Sequence, residues 1–364
     1  MVDSILIKAN KYIKNSRPYL PEDTICDTFR NNSFMELAFM SKRCPNDACG
    51  ACIMCDYGVL QGEKSASVYI AEMNKILDKE KGIEYLLICT NGSILNPNQI
   101  SEETLYKILK AAANTDIPHI IIEAHYNDIS EQKLANIKQI MPDKNLTLEL
   151  GLETVSQYYQ DTLIMKHINI ANFDKTISMI QNYKFNVDIN ILLGLPFLSA
   201  KEQFDETLKT VEWTLERGCN PVIFPVNIKP YTLLMHMYKN SFYTPVSHWL
   251  LILLLDAVEA EQLSKITIAY YGNRTEDYYD MAEQPIFPGC CEVCQAPIEI
   301  FYAEFCKEEN SIKRKNLLQN ILAFKQCDCL SDLKNQINQT AKSNFHERYA
   351  SYTRFLHKEF DAHI

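Results

Sequence analysis

The stretch HIIIEAHYNDISEQKLANIKQIMPDKNLTLELGLET, residues 119–154, decides the fold of this chain. It opens on an apolar run at 119–124, passes into spaced apolar positions over about 131–141, and returns to a second apolar run at 146–151. Two runs of strand length joined by a helical piece make a βαβ unit, whose strands lie parallel. Short strands that are apolar almost throughout are buried on both faces, so helices must cover the sheet on the outside.

The same alternation extends in both directions. Upstream lie a helix at 64–79, the apolar strand IEYLLIC at 83–89 and a helix at 101–114 that begins Ser-Glu-Glu, a capping pattern. Downstream come a helix at about 172–181, the strand VDINILLG at 187–194, a helix at 201–217 and the strand PVIFPVN at 221–227. Five or six such units predict an α/β fold, a partial (β/α)6 TIM-like barrel, whose working face is the carboxyl ends of its strands. After Tyr231 the rhythm changes: a long helix fits 247–263, ITIAYYG at 266–272 reads as a last strand, and the chain beyond about Gly289 is mainly helical and rich in cysteine. The expected division is an N-terminal extension at 1–40, the barrel at 41–285 and a C-terminal extension at 286–364, the last boundary marked by Pro285 and Pro288.

Of 364 residues, 47% are hydrophobic and 23% charged, the balance of a globular chain rather than a disordered or fibrous one. The formal charge of -10 offers no general attraction to nucleic acid, and SIKRK at 311–315 is the one compact basic run. The longest apolar run, 249–258, is too short to span a bilayer, and the first residues contain no apolar signal core. A cytoplasmic location without membrane attachment is expected.

In that compartment, thirteen cysteines point to metal ligation or redox chemistry more than to disulfides. Cys26, Cys89 and Cys219 stand alone and read as core residues. Four lie in KRCPNDACGACIMCDYG, residues 42–58, bent by Pro45, Asp47, Gly50 and Gly58. A triplet there is either Cys49, Cys52 and Cys55 or Cys44, Cys52 and Cys55. Three thiolates on a four-iron cluster leave one iron open for chemistry, whereas four would close a structural zinc or an electron-transfer cluster. Spacing alone leaves iron–sulfur, zinc and free thiols all open. The rear group comprises Cys290, Cys291 and Cys294 of FPGCCEVC, then Cys306, then Cys327 and Cys329 of CDC. Zinc or an auxiliary [4Fe-4S] cluster is expected on a subset that contains Cys291 and Cys294, with one of the adjacent Cys290 and Cys291 left spare.

Several strings, taken in order, are similar to one known family: CPNDACGACIMCDY (44–57), TNGSILNPNQI (90–100), IIIEAHYNDI (120–129), LELGLET (148–154), INILLGLPFLSAKEQFDE (189–206), PVNIKPYT (225–232) and FYTPVSHWLL (242–251). Over roughly residues 15–300 the chain resembles the radical SAM superfamily, in the branch related to the elongator catalytic subunit and the radical SAM subunit of archaeosine synthase. The resemblance implies that Cys44, Cys52 and Cys55 hold a [4Fe-4S] cluster and leaves Cys49 as an extra inside the seven-residue gap. It further implies that S-adenosylmethionine chelates the open iron. An external one-electron donor then reduces the cluster, and the cofactor is cleaved to methionine and a 5'-deoxyadenosyl radical that abstracts hydrogen from a substrate.

On the same resemblance Thr90, Asn91, Gly92 and Ser93 support the methionyl end of the cofactor, and Gly92 permits close backbone approach. Glu123 contacts its ribose or ammonium. Of Glu149 and Glu153, the second lies at the active rim and is preferred. Asn190, Gly194 and Pro196 pack beside adenine and ribose. Asn227 and Lys229, after the sixth strand, are placed toward substrate, where Lys229 can neutralise a phosphate or carboxylate. Lys166 matches a short basic motif of relatives, against the plainer reading of a solvated lysine. Two substrate classes follow, a small molecule or peptide, and a modified nucleoside in tRNA handled with a partner enzyme. A non-catalytic zinc or iron–sulfur scaffold is the competing class.

Overall fold

The computed structural model of the protein describes residues 4–17, 24–56, 62–166, 168–269, 284–339, 341 and 343–360. Among the described residues the strands are β1 (Cys26–Asn31), β2 (Phe34–Phe39), β3 (Tyr85–Thr90), β4 (His119–Ala124), β5 (Asn145–Glu153), β6 (Asn186–Leu193), β7 (Asn220–Pro225) and β8 (Thr267–Ile268). They form one sheet in sequence order; β1 pairs antiparallel with β2 and every later pair is parallel. Each β-α-β crossover therefore steps the same way, and the sheet curls into a partial barrel whose edges are β1 and β8.

Helices α1 (Ser4–Lys14), α2 (Pro45–Ala48), α3 (Ala66–Leu77), α4 (Glu102–Ala113), α5 (Glu131–Ile140), α6 (Gln157–Tyr159), α7 (Ile170–Asn182) and α8 (Ala200–Glu216) alternate with the strands. Serines start several of them. Ser101 and Ser130 accept from the backbone N–H of Thr104 and Lys133, and Ser199 forms a full capping box with Glu202. Outward-facing Leu86, Ile88, Ile120, Ile122, Leu148 and Ile189 pack under these helices in the main core. Ala38, Leu87, Cys89 and Ile121 form a small separate apolar cluster on the other side of the sheet.

Between β7 and β8 lie α9 (Leu233–Lys239) and α10 (His248–Ala257); beyond the barrel come α11 (Glu292–Lys307), α12 (Ser311–Leu322), α13 (Cys329–Asn338) and α14 (Phe345–Phe360), the mainly helical, cysteine-rich extension read from the sequence. The helix expected over 247–263 is instead two pieces. α10 stops at Val258, which is extended, and a 3-10 turn at Ala260–Lys265 follows. Arg314 of α12 donates to the carbonyls of Leu263 and Ile266, which stabilises the chain in this broken form. Of the strand expected at 266–272 the structure shows β8, and residues 270–272 lie outside the described residues. The expected boundary at residue 40 falls one residue past β2, so the first forty residues carry two of the sheet's strands. No helix among the described residues is long and apolar enough to cross a membrane.

Candidate functional site

A cavity of about 500 Å³ opens at the carboxyl ends of the strands. Cys44, Cys52 and Cys55 line it, together with Gly92, Ser93, Glu123, Gly151, Glu153, Lys166, Asn190, Asn227 and Lys229. Thus three front cysteines meet most of the residues singled out for the cofactor and substrate. Cys49 stays outside: it is exposed, and its thiol donates to the Asn46 carbonyl at 3.1 Å.

The cysteine loop is held from behind by α1. Asn10 donates to the carbonyls of Gly50 (2.9 Å) and Ala51 (3.2 Å), while Lys14 pairs with the buried Asp47 and reaches the Cys52 carbonyl at 3.3 Å. Gly50 sits at φ +92°, and a Cβ there would meet the Ile7 carbonyl at 2.5 Å, so only glycine lets the loop rest on the helix. Cys52 is itself in the left-handed region at φ 53°, which re-aims its side chain. Burial pushes the Cys52 thiol up to about 11 and the Cys55 thiol up to about 12, with a smaller rise at Cys44. Lys166 and Lys14 pull the Cys52 thiol back toward the thiolate. Such thiols need a bound cation to ionise fully at neutral pH.

Glu153 is aimed by an irregularity that no sequence period reveals. The β5–β6 register slips between Gly151 and Glu153, and Glu153 takes φ 70°. It then meets Lys166 at 2.6 Å. Burial works against the Lys166 charge, but Glu153 and then Cys52 outweigh it and hold the ammonium above its ordinary range. Lys166 is therefore part of the cavity wall rather than a solvated lysine.

Glu123, Glu149 and Asp188 are consecutive partners across β4, β5 and β6. Burial pushes Glu123 up to about 7, Glu149 up to about 8 and Asp188 up to about 6, with repulsion from Glu153 adding to the first and repulsion from Glu123 and Asp188 adding to the second. Asn220 donates to Asp188 at 2.9 Å. Among the described residues the buried carboxamide oxygens of Asn190 and Asn227 have no hydrogen-bond partner, and both residues line the cavity. These orphaned acceptors, the carboxylates and a three-thiol donor set suit a ligand with ammonium, hydroxyl and amide donors beside a metal cluster.

Other expected positions do different work. Thr90 is buried behind the wall, and Asn91 turns its amide to the Met40 sulfur. Gly92 and Ser93 reach the cavity, held by Gln99, whose Oε1 accepts from the Ser93 N–H at 2.7 Å. A Cβ on Gly92 would collide with the Gln99 amide. Gly194, at φ +114°, and Pro196 are not in the lining; the Gly194 carbonyl accepts from the Tyr243 hydroxyl at 2.7 Å, and a Cβ at 194 would strike Val246. Lys229 lines the wall with its ammonium paired to Asp56 at 2.8 Å, because that carboxylate is buried beside Cys55 and Arg17 lies farther away at 3.5 Å. Gln99, His125 and Asn96 were missed as lining residues, although the strings TNGSILNPNQI and IIIEAHYNDI contain them.

A second thiol group lies apart from this cavity. The sulfurs of Cys291, Cys294, Cys327 and Cys329 all lie within 4.8 Å of one another, the only such metal-ligating group among the described residues. Cys291 caps α11, Cys294 is in its first turn, and Cys329 begins α13. Cys290 turns instead to the Gln295 side chain at 3.4 Å, and Cys306 is exposed.

No protein-family model matches the chain. Among curated proteins, archaeosine synthase subunit beta of Methanosarcina acetivorans is 24% identical over 62% of this chain and 67% of its own length. The subunit of the same name from Thermococcus kodakarensis is 24% identical over 55% of this chain and 63% of its own length. An uncharacterized protein of Methanocaldococcus jannaschii is 22% identical over 65% and 68%. The chain thus spans about two thirds of the length of these relatives. Among solved structures, Elp3 of Methanocaldococcus infernus superposes with a TM-score of 0.48 at 13% identity, over 70% of this chain and 60% of that one. Methylornithine synthase superposes with a TM-score of 0.48 at 14% identity, over 86% and 90%.

Proposed function

We propose, from the premise that this is a radical SAM fold related at low identity to archaeosine synthase subunit beta, that the chain is a radical SAM enzyme. Cys44, Cys52 and Cys55 would hold a [4Fe-4S] cluster, and Ser93, Glu123, Glu153 and Asn190 would receive S-adenosylmethionine beside it. When bound and reduced by an external one-electron donor, the cluster supplies reductive cleavage of the sulfonium bond to a 5'-deoxyadenosyl radical for hydrogen abstraction. The observation that carries this reading is the convergence of three front thiols, with Cys49 turned away, on a cavity that also collects Ser93, Glu123, Glu153 and Asn190.

The residues divide the work. Lys14 and Lys166 lower the cost of thiolate charge in the loop. Glu153, fixed by Lys166, presents a carboxylate to an ammonium or ribose hydroxyl, and the orphaned Asn190 oxygen accepts from a second donor. Asn227 faces substrate; Lys229 does so only by exchanging its Asp56 partner. The barrel, including β1 and β2 from the first forty residues, is the catalytic unit, acting in the cytoplasm.

The substrate is a small molecule, a peptide or a modified nucleoside. The likeness to two proteins named archaeosine synthase subunit beta favours the modified nucleoside in tRNA, with a partner enzyme completing the conversion. The formal charge of -10 favours the smaller substrates. Anaerobic reconstitution with iron and sulfide, followed by dithionite and S-adenosylmethionine, tests the common reading. It should yield 5'-deoxyadenosine, and a folded, iron-binding protein that yields none would sink the assignment. Salt-sensitive binding of tRNA, with one modified nucleoside missing when the protein is absent, separates the two substrate classes.

A further inference from the structure

We infer that Cys291, Cys294, Cys327 and Cys329 form a closed, mononuclear zinc site that fastens the root of the helical extension to α10, rather than a second iron–sulfur cluster. The argument starts from size. Four sulfurs at ~2.3 Å from one tetrahedral ion stand ~3.8 Å apart. The four here all lie within 4.8 Å of one another, with Cys291 to Cys294 at 3.4 Å and Cys294 to Cys327 at 2.9 Å. A four-iron cluster puts each thiolate on a different metal atom and so spreads them wider; one ion draws them this close. Thiolates alone make up the set, which suits zinc among the common divalent ions.

The surroundings are those of a structural site. Four protein ligands leave no open position, and none of the four lines the large cavity. Cys291 and Cys294 sit at the start of the sixteen-residue α11, and Cys329 starts the ten-residue α13, so two helix N-termini face the negative sulfurs. The indole N–H of Trp249, a fully buried residue of α10, donates to the Cys294 sulfur at 3.3 Å. A buried donor of this kind is the outer partner that orients a metal-bound thiolate. One ion would thereby tie α11 to α13, with both held on the barrel helix that carries Trp249.

The inference stands whether or not the front loop holds a cluster. The test is metal counting on the full chain, purified anaerobically, with Cys44, Cys52 and Cys55 all replaced by alanine. About one zinc per chain is expected, with neither iron nor acid-labile sulfide. Cobalt exchanged into the same protein should show the visible bands of a tetrahedral tetrathiolate ion, lost in Cys294→Ser and kept in Cys290→Ser. Iron and sulfide persisting after the front substitutions would overturn the proposal, as would zinc binding unaltered by Cys294→Ser. A metal-free Cys294–Cys327 disulfide in the anaerobic preparation would overturn it too. If the triple variant is insoluble, the unsubstituted chain after reconstitution decides: about four irons plus one zinc support the site, and about eight irons without zinc refute it.

Discussion

The front and rear cysteine groups are built from the same residue type but solve opposite problems. At the front, three thiols stand around a cavity wide enough for a cofactor, and their loop depends on distant supports: Asn10 and Lys14 of α1, and Lys166. At the rear, four sulfurs crowd together beside Trp249, and none of them lines the front cavity. Thiol number and spread, not cysteine count, distinguish a site that must admit a ligand from one that must exclude it. The largest test of this contrast is Cys52→Ala. It should reduce 5'-deoxyadenosine formation to background while rear zinc remains at about one per chain. Simultaneous loss of zinc would mean that the two sites are not independent.

Removal of the rear ion comes next in size. Cys327→Ser, or exhaustive chelation, should lower the thermal midpoint by several degrees, because the free energy of binding a structural ion is also folding free energy. The effect should centre on α11 and α13, read as faster amide exchange there than in β3 to β6. An unchanged midpoint on metal loss would show that packing of Trp249, Phe301 and Phe305 suffices alone.

The front also differs from the rear in its response to pH. With the front loop free of metal, Glu123 and Glu149 hold protons up to about 7 and about 8, chiefly because they are buried, whereas the unfolded chain releases them in the ordinary carboxylate range. The folded state thus binds more protons in that window, and stability must fall as pH rises through it. Burial pulls His125 and His248 down to about 4, and that contribution runs the other way, but it is complete once pH exceeds the ordinary histidine value near 6.5. Between pH 6.5 and 8.5 the carboxylates therefore dominate, with a slope of at most ~1.4 kcal/mol per pH unit for each proton held. Thermal melts should show a falling midpoint, and Glu149→Gln should flatten that fall.

The barrel from β3 to β7 was legible because those strands need apolar runs and their helices spaced ones, and both leave local traces, whereas the half-buried CDTFRN of β1 leaves none. Glu153 lines the cavity, but its aim depends on a register slip against β6 and its partner Lys166 lies thirteen positions away. Neither leaves a periodic trace. The support of the loop by α1 was invisible for the same reason: Asn10 and Gly50 are forty residues apart and meet only in the fold. At the rear the sequence offered Cys291 and Cys294 by their spacing, while Cys327 and Cys329 join them only because α11 and α12 fold back.

The smallest expected effect tests the contrast most finely, because each group includes a bystander. Cys49 is exposed with its thiol on the Asn46 carbonyl, and Cys290 bonds Gln295. A substitution away from core, cap and ligand positions changes stability by no more than about 0.5 kcal/mol, about twofold in an equilibrium. Cys49→Ala should accordingly retain full iron content and 5'-deoxyadenosine formation within that twofold, and Cys290→Ser should retain zinc. The front outcome carries more weight. The compact triplet Cys49, Cys52 and Cys55 is the alternative parse of the loop, and it requires the Cys49 thiol to swing inward while Cys44 is released. Loss of iron in Cys49→Ala with retention in Cys44→Ala would establish that alternative, and with it a loop that rearranges about Gly50 when the cluster binds. The reverse pattern fixes Cys44 as ligand and leaves Cys49 in place at the surface.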